Sequence, residues 1–486
     1  MTKSVNEREI VLAVLMEVTE NGMYSHLILR DVLNKYQYLE KRERSFITRV
    51  TEGTLEHLIE IDYILDQFSK VKVRKMKPVI RNILRLSVYQ LRYMDSVPDR
   101  AVCSEAVKLA ARKGFAGLKG FVNGVLRSIA RNDSGIRWPA ERTEYLSVRY
   151  SCPEWIIRLW QESLDTETVE TMLRDFQEEK PLTVRCCLAK ITPEELMAKL
   201  RSDGVRAEIH PYLPYALVIS NYDYLEALDS FREGLFYVQD VSSMLAGELA
   251  DPKAGDYVID ICAAPGGKTL HAAEKLLIKE KEQHIKEQHE DGRQEEPEAP
   301  ADRRKAGQVE ARDLTEYKVG LIRENIARSG LDNISAVCMD ASVYDEASAG
   351  RADVVIADLP CSGLGVLGKK TDLKYRASMD GIRDLVDLQR QILSCAQAYV
   401  KPGGVLLYST CTVDPAENME NVRWFLEQYP GFRTDDIRPL LCPELRDSVE
   451  EEGCIQLLPG VHKSDGFFIA RFVKETEETG KQEKPL

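Results

Sequence analysis

Asp260-Ile261-Cys262-Ala263-Ala264-Pro265-Gly266-Gly267-Lys268-Thr269 is the stretch on which the reading of the fold turns. A short apolar run, Tyr257 to Ile261, leads into it and a helical pattern leaves it, so it is a strand-to-helix turn. Its small residues and two glycines let backbone N–H groups approach a ligand, and the helix N-terminus that follows favours a carboxylate. It is not a Walker A loop, which needs four residues between its glycines and Lys-Ser/Thr directly after the second. A glycine-rich turn alone is a weak signal, but its surroundings add to it. From residue 240 onward, strand-like runs are expected at Tyr257 to Ile261, Val309 to Arg312, Ser335 to Cys338, Asp353 to Ala357, Val405 to Tyr408 and Phe467 to Phe472. Helical patterns separate most of them, which predicts a doubly wound, Rossmann-like α/β domain over residues 240–473, binding its ligand at the C-terminal strand edge.

Upstream the periodicity changes twice. Residues 181–239 read as βαββαβ: strands at Leu182 to Cys186, Val205 to Ile209, Ala216 to Ile219 and Leu235 to Val238, with helices after Thr192 and near Tyr224 to Leu228. Thr192-Pro193-Glu194-Glu195 is a capping box with proline at the first helical position. That order predicts a small ferredoxin-like α+β domain, a common platform for single-stranded RNA. Residues 136–180 form a helical connector opened by Trp138-Pro139. Residues 1–135 are all-α: Ile10, Val11, Val14, Leu15 and Val18, then Ile80, Ile83, Leu84, Val88 and Leu91, fall at helical spacing. Pro78 suits a helix start, Val97-Pro98 a stop, and Gly114 and Gly117 break the next helix before Phe121 to Ala130 resumes it. Residues 278–306 hold almost nothing to bury and predict an exposed helix extension or disorder. His284 and His289 lie there, where a solvated charged insertion is a better account than a metal site. The tail, 474–486, is expected to be loose.

With 486 residues the chain is long enough for about three domains, and 44% hydrophobic with 30% charged residues is ordinary globular composition. It has no apolar run of ~18 residues and no signal-peptide layout, so no membrane association and a cytoplasmic location are expected. The eleven cysteines include no C-x-x-C pair, which disfavours zinc ribbons and thioredoxin-like sites, and no metal is expected. Any one cysteine is by default a buried, reduced, small hydrophobe. The net charge of −13 speaks against nucleic acid only until its distribution is examined. From Gln67 to Arg131, fifteen Lys or Arg stand against Asp95, Asp99 and Glu105, a local excess of twelve positive charges that attracts phosphates.

The chemistry gathers at the strand ends. The second α/β strand ends in Asp313, where nucleotide-binding sheets hold ribose hydroxyls, and the third in Asp340, within reach of an adenine amino group. Each acid alone would read as a helix cap or surface charge; at successive strand ends they read together. The fourth strand ends Asp358-Leu359-Pro360-Cys361-Ser362-Gly363 and the fifth Tyr408-Ser409-Thr410-Cys411-Thr412. Core cysteines sit inside strands, whereas these two sit just past them, on the ligand side. Two thiols suit one difficult substitution. Carbon 5 of cytosine is a poor nucleophile until a thiolate adds to carbon 6 and turns the ring into an enamine. An acid such as Asp358 can hold or protonate ring nitrogen 3. A second thiol can then assist loss of the carbon-5 proton and expulsion of the first.

Residues 260–269, Asp358 to Gly363, Tyr408 to Thr412 and Asp465-Gly466-Phe467-Phe468 together resemble the motifs of RNA 5-methylcytosine methyltransferases. The resemblance implies a class I fold, S-adenosyl-L-methionine as cofactor, Cys411 as nucleophile and Cys361 as the residue that helps release product. It implies cofactor contacts at Cys262, Ala263, Ala264, Pro265, Gly266, Gly267, Lys268, Asp313, Asp340 and Asp358. Leu84 to Leu91, Val97-Pro98 and Phe121 to Arg127 resemble the NusB-like RNA-binding domain of antitermination factors. That domain fused to this catalytic half is similar to bacterial small-subunit ribosomal RNA 5-methylcytosine methyltransferases. The partner so implied is small-subunit ribosomal RNA, before the subunit is fully assembled. Leu359 stands where the family usually has alanine, and the charged insertion is unusual; neither disturbs the cysteine motifs. Two other readings remain open: a methyltransferase acting on an exocyclic amine or a protein side chain, and an RNA-binding assembly factor with a degenerate methyltransferase fold. The first would want a polar clamp such as Asn-Pro-Pro-Tyr at the fourth strand, and the second would be expected to have lost a cysteine or the Gly266-Gly267 turn.

Overall fold

The protein is described by a computed structural model covering residues 6–132, 135–290, 307–449 and 451–476. Its chain divides into two units, one formed by Met1–Glu178 with Val366–Ala377, the other by Glu179–Gly365 with Ser378–Leu486.

The first unit has no strand among its described residues. Its sequence-predicted helices are present, among them Glu7–Thr19, Pro78–Tyr93 with Pro78 in the first turn, Asp99–Arg112 and Lys119–Arg131. Val11, Leu15, Ile47, Val50, Ile83, Leu84, Val122 and Leu126 belong to one buried apolar core. Gly53 is required by packing: a Cβ there would lie 2.1 Å from the ring of Tyr89. Three further helices, Arg142–Arg149, Glu154–Gln161 and Thr166–Asp175, follow. The segment 366–377, far downstream in sequence, is seated in this unit. Asp372 accepts the Ser25 hydroxyl at 2.6 Å, Lys374 donates to the Glu56 carbonyl at 2.9 Å and Tyr375 to the Leu55 carbonyl at 2.8 Å. Among the described residues, seven of the fifteen cations between Gln67 and Arg131 are ion-paired: Lys72, Arg81, Arg85, Arg92, Lys108, Arg112 and Lys113. Most of their partners, such as Glu20, Glu60 and Asp62, come from earlier helices. The local excess counted along the sequence is therefore smaller in space.

The second unit carries two sheets. The first contains β1 (Leu182–Cys186), β2 (Arg206–Ile209), β3 (Ala216–Ser220) and β4 (Phe236–Val238), all antiparallel in the order β2-β3-β1-β4. This is the ferredoxin-like arrangement. Thr192 and Glu195 form the expected reciprocal cap. The second expected helix is reduced to a 3-10 turn, Leu225–Ala227, and one helical turn, Asp229–Arg232. The segment is too short to cover the sheet with a full helix.

The larger sheet is built from β5 (Tyr257–Asp260), β6 (Gln308–Asp313), β7 (Ile334–Cys338), β8 (Ala352–Asp358), β9 (Val400–Thr410), β10 (Phe432–Thr434), β11 (Cys454–Leu457) and β12 (Phe467–Lys474). Their order is β10-β12-β9-β8-β5-β6-β7, with β11 also on β12. Strands β5 to β9 are parallel, and β12 runs antiparallel to β9. The order reverses between β5 and β8, and the crevice beyond that switch point is where such sheets bind ligands. Phe236 of the small sheet and Leu245, Leu270 and Ala273 of the larger layer belong to one core. The helix after β5 runs from Gly267 to Glu290, so the start of the charged insertion is a helix extension; residues 291–306, and the tail from 477, lie outside the described residues.

Candidate active site

Strand β5 delivers Asp260 to the switch point, where its carboxylate accepts the Thr269 hydroxyl at 2.7 Å. The chain then turns through residues 262–267. Gly266 has φ +108°, a backbone conformation only glycine adopts without strain. The turn is tied to β6: Ala263 N–H donates to the Arg312 carbonyl at 2.8 Å, and Ala264 N–H to the Asp313 carboxylate at 2.9 Å. Burial, with Asp260, Asp313 and Asp358 nearby, pushes the Cys262 thiol far up and keeps it protonated. A cavity of about 180 Å³ opens over the turn, lined by Cys262, Ala263, Ala264, Pro265, Gly267 and Lys268 and by Asp260 and Asp358. Asp260 is 1% exposed, and its Oδ1 has no hydrogen-bond partner among the described residues.

Of the expected cofactor residues, the turn, Lys268 and Asp358 meet at this cavity, whereas Gly266, Asp313 and Asp340 do not line it. Gly266 shapes the turn from behind. Asp313 is buried, paired with Lys318 at 3.0 Å and occupied in holding Ala264 and Leu314 N–H. Asp340 is exposed and caps the next turn, accepting Ser342 N–H at 2.9 Å and its hydroxyl at 2.6 Å. Those bonds hold its carboxyl below the usual range. Three wall residues, Gln239, Asp240 and Ser243, escaped the sequence reading. They come from the end of β4 and the following helix, whose capping signal at Asp240 was the one available clue.

Lys268 joins the cavity to the cysteines. It is 8% exposed, and its ammonium donates to Asp358 at 2.7 Å and to Ser243 at 2.9 Å, above the Phe467 ring. The register of β8 against β9 pairs Asp358 with Ser409, whose hydroxyl donates to the other Asp358 oxygen at 2.7 Å. Because the two strands are parallel and in register, Cys361 and Cys411 emerge side by side beyond their ends. Their sulfurs are 3.3 Å apart, within hydrogen-bonding range. That hydrogen bond, then burial, pushes the Cys361 thiol well above its ordinary range. The Asp465-Gly466 motif closes the site: Gly365 N–H donates to the Cys411 carbonyl at 3.1 Å and Gly466 N–H to the Gly365 carbonyl at 2.9 Å. A Cβ on Gly365 would lie 2.1 Å from the Gly466 carbonyl oxygen.

Elsewhere the cysteines are mostly buried, but Cys338, expected inside the sheet, is exposed at the end of the edge strand β7. Among the described residues, no group of three or more His, Cys, Asp or Glu is placed to hold a metal ion. No described helix is long and apolar enough to cross a membrane.

Comparison with known proteins places the parts of the chain in families. Residues 301–473 match the family described as 16S rRNA methyltransferase RsmB/F, residues 152–223 its ferredoxin-like domain, and residues 5–131 the NusB family. A probable ribosomal RNA small subunit methyltransferase B of Bacillus subtilis (strain 168) is 34% identical, the alignment covering 97% of this chain and 100% of the relative. A protein of the same description from Synechocystis sp. (strain ATCC 27184 / PCC 6803 / Kazusa) is 28% identical over 97% of this chain and 100% of its own. Among solved structures, that of PH0851 superposes with a TM-score of 0.76 at 25% identity, covering 97% of this chain and 99% of the other. The turn at the switch point, the paired thiols beyond β8 and β9 and a relative aligned end to end lead to one conclusion: the chain belongs to the RsmB/F family of ribosomal RNA methyltransferases.

Proposed function

We propose that this protein methylates carbon 5 of a cytosine in small-subunit ribosomal RNA through a covalent bond between Cys411 and carbon 6. The observation that carries the reading is the pair of sulfurs 3.3 Å apart, beside Asp358, at the open edge of the sheet. The relatives named as small-subunit ribosomal RNA methyltransferases support the substrate class. A methyltransferase of this family draws its methyl group from S-adenosylmethionine. The cavity suits that cofactor: the orphan Oδ1 of Asp260 is an acceptor for its ammonium group, and the N-terminus of the helix at Gly267 for its carboxylate.

Within this reading each side chain has a defined task. Cys411, as the thiolate, adds to carbon 6 and sends an electron pair toward ring nitrogen 3. Asp358, steadied by Lys268 and Ser409, shares a proton of its own with that nitrogen as charge builds there and takes it back when Cys411 leaves. Carbon 5 is then nucleophilic. After methylation Cys361, once ionised, takes the carbon-5 proton; the electron pair of that C–H bond re-forms the ring double bond and expels the Cys411 thiolate from carbon 6. A base must leave its stack to reach the strand ends, at a cost of a few kcal/mol, so a loop or single-stranded cytosine is the expected target. The test is a pair of variants. Cys361→Ala should accumulate an RNA–protein adduct that survives a denaturing gel; Cys411→Ala should give neither adduct nor methylated RNA. Near-normal methylation by Cys411→Ala would falsify the covalent route.

A further inference from the structure

Behind the two cysteines lies a buried polar network that the mechanism does not use. Each cysteine is followed by a hydroxyl residue, Ser362 or Thr412; both side chains turn inward and their oxygens are 2.7 Å apart. Glu417 meets them there, fully buried. Its Oε1 accepts Ser362 N–H at 2.8 Å and the Gln389 amide at 2.9 Å, and its Oε2 accepts the Ser362 hydroxyl. Gln389 also donates to the carbonyl of Pro360, just before Cys361, at 2.9 Å, and is itself held by Asn421 at 2.8 Å. On the other side Asn418, next to Glu417, donates to the Thr412 carbonyl at 3.1 Å and accepts the Thr410 hydroxyl at 2.6 Å. Thus Glu417 and its neighbour grip the residues flanking both sulfurs.

No Lys or Arg among the described residues forms an ion pair with Glu417, and burial raises its pKa above the ordinary carboxyl range. An apolar side chain of similar size would occupy that position without the desolvation penalty. The hydrogen bonds that offset the penalty run to the Cys361 loop and its support. We infer that Glu417 is a positioning residue that keeps the Cys361 and Cys411 loops in register, so that the attacking sulfur and the releasing sulfur address the same base. This rests on the proposed roles of the two cysteines.

Attack needs Cys411 alone, whereas release needs Cys361 aligned with it. Loosening the tie should therefore slow release more than attack, and misplacement on the order of 1 Å costs roughly 100-fold in rate. The experiment compares full-length wild type, Glu417→Ala, Glu417→Gln, Ser362→Ala and Cys411→Ala for kcat, for KM toward S-adenosylmethionine and for covalent RNA adduct. Glu417→Ala should lose kcat by about two orders of magnitude with KM unchanged, and should trap adduct although both cysteines are present. Glu417→Gln, which keeps an acceptor for Ser362 N–H, should recover most of the rate. Ser362→Ala, which removes only the hydroxyl arm, should show a smaller loss and the same trapped adduct, and it decides the matter if the Glu417→Ala chain does not fold. Near-wild-type turnover in these variants, or a loss of kcat with no adduct in any of them, overturns the positioning role. With Cys411→Ala inactive, such a result leaves the covalent route standing; an active Cys411→Ala removes the route itself.

Discussion

Asp260 is buried against Thr269 with one oxygen unmatched, and its carboxyl is pushed up to about 7. Burial is the main cause, the Thr269 bond and Lys268 oppose it, and Asp358 and Asp313 add to it. A carboxyl whose folded pKa lies above its unfolded value disfavours folding as pH rises from the unfolded value toward 7. A cation docked at Oδ1 reverses that preference, so cofactor binding below about pH 7 should expel a proton. Calorimetric titration with S-adenosylmethionine should show affinity rising from acid toward pH 7 and levelling above it. Asp260→Asn should lose that part of the slope, while the cofactor's own amino group titrates unchanged in both proteins. Equal slopes in the two would exclude Asp260 as the acceptor. Lys268, Asp358, Cys361 and Cys411 were legible in the sequence because each stands at or just past a strand end. Gln239, Ser243 and Glu417 were not, because only the folded chain brings them to the same edge. Asp313 and Asp340 were legible as strand-end acids, but their hydrogen bonds are directed to the loops beside them.

Strand β1 and the helix from Gly267 are joined by an ion pair between Arg185 and Glu274, both fully buried. Arg185 also donates to Gln239, a wall of the cavity over the turn, at 2.9 Å. Removing one partner leaves an uncompensated buried charge, so Arg185→Leu should cost about 3–5 kcal/mol in urea unfolding. Arg185→Leu with Glu274→Leu should regain most of it, since apolar groups of similar volume can replace a buried pair. A single variant no worse than the double would show that the charge is compensated elsewhere. The six α/β strands were readable because buried strands are continuous apolar runs bounded by turn residues. Strands β10 and β11 were not: three and four residues long, they exist only because β12 offers them an edge. Their segments carry no periodicity of their own.

Across the molecule, net charge −13 coexists with an exposed basic segment, Lys70, Arg74, Lys75 and Lys77, that has no ion pair among the described residues. Reversing Arg74, Lys75 and Lys77 to Glu should weaken RNA binding and flatten the dependence of log K on log salt by roughly 0.7–0.9 per lost phosphate contact. Reversing Lys108, already paired with Glu105 at 2.7 Å, should leave the slope nearly unchanged. An unaltered slope in the triple variant would place the RNA elsewhere. The succession of all-α, ferredoxin-like and α/β parts was readable from changes in period. The return of residues 366–377 to the helical unit was not, because nothing local distinguishes a loop that seats far back in the chain. That return sets the timing of synthesis. The seats for Asp372, Lys374 and Tyr375, at Ser25, Glu56 and Leu55, emerge from the ribosome early, but what fills them comes roughly 10–40 s after Glu178 at about 5–20 residues per second. Until then the nascent helical unit lacks one of its walls, and a chaperone or a fragment cut at residue 178 would meet it in that open form.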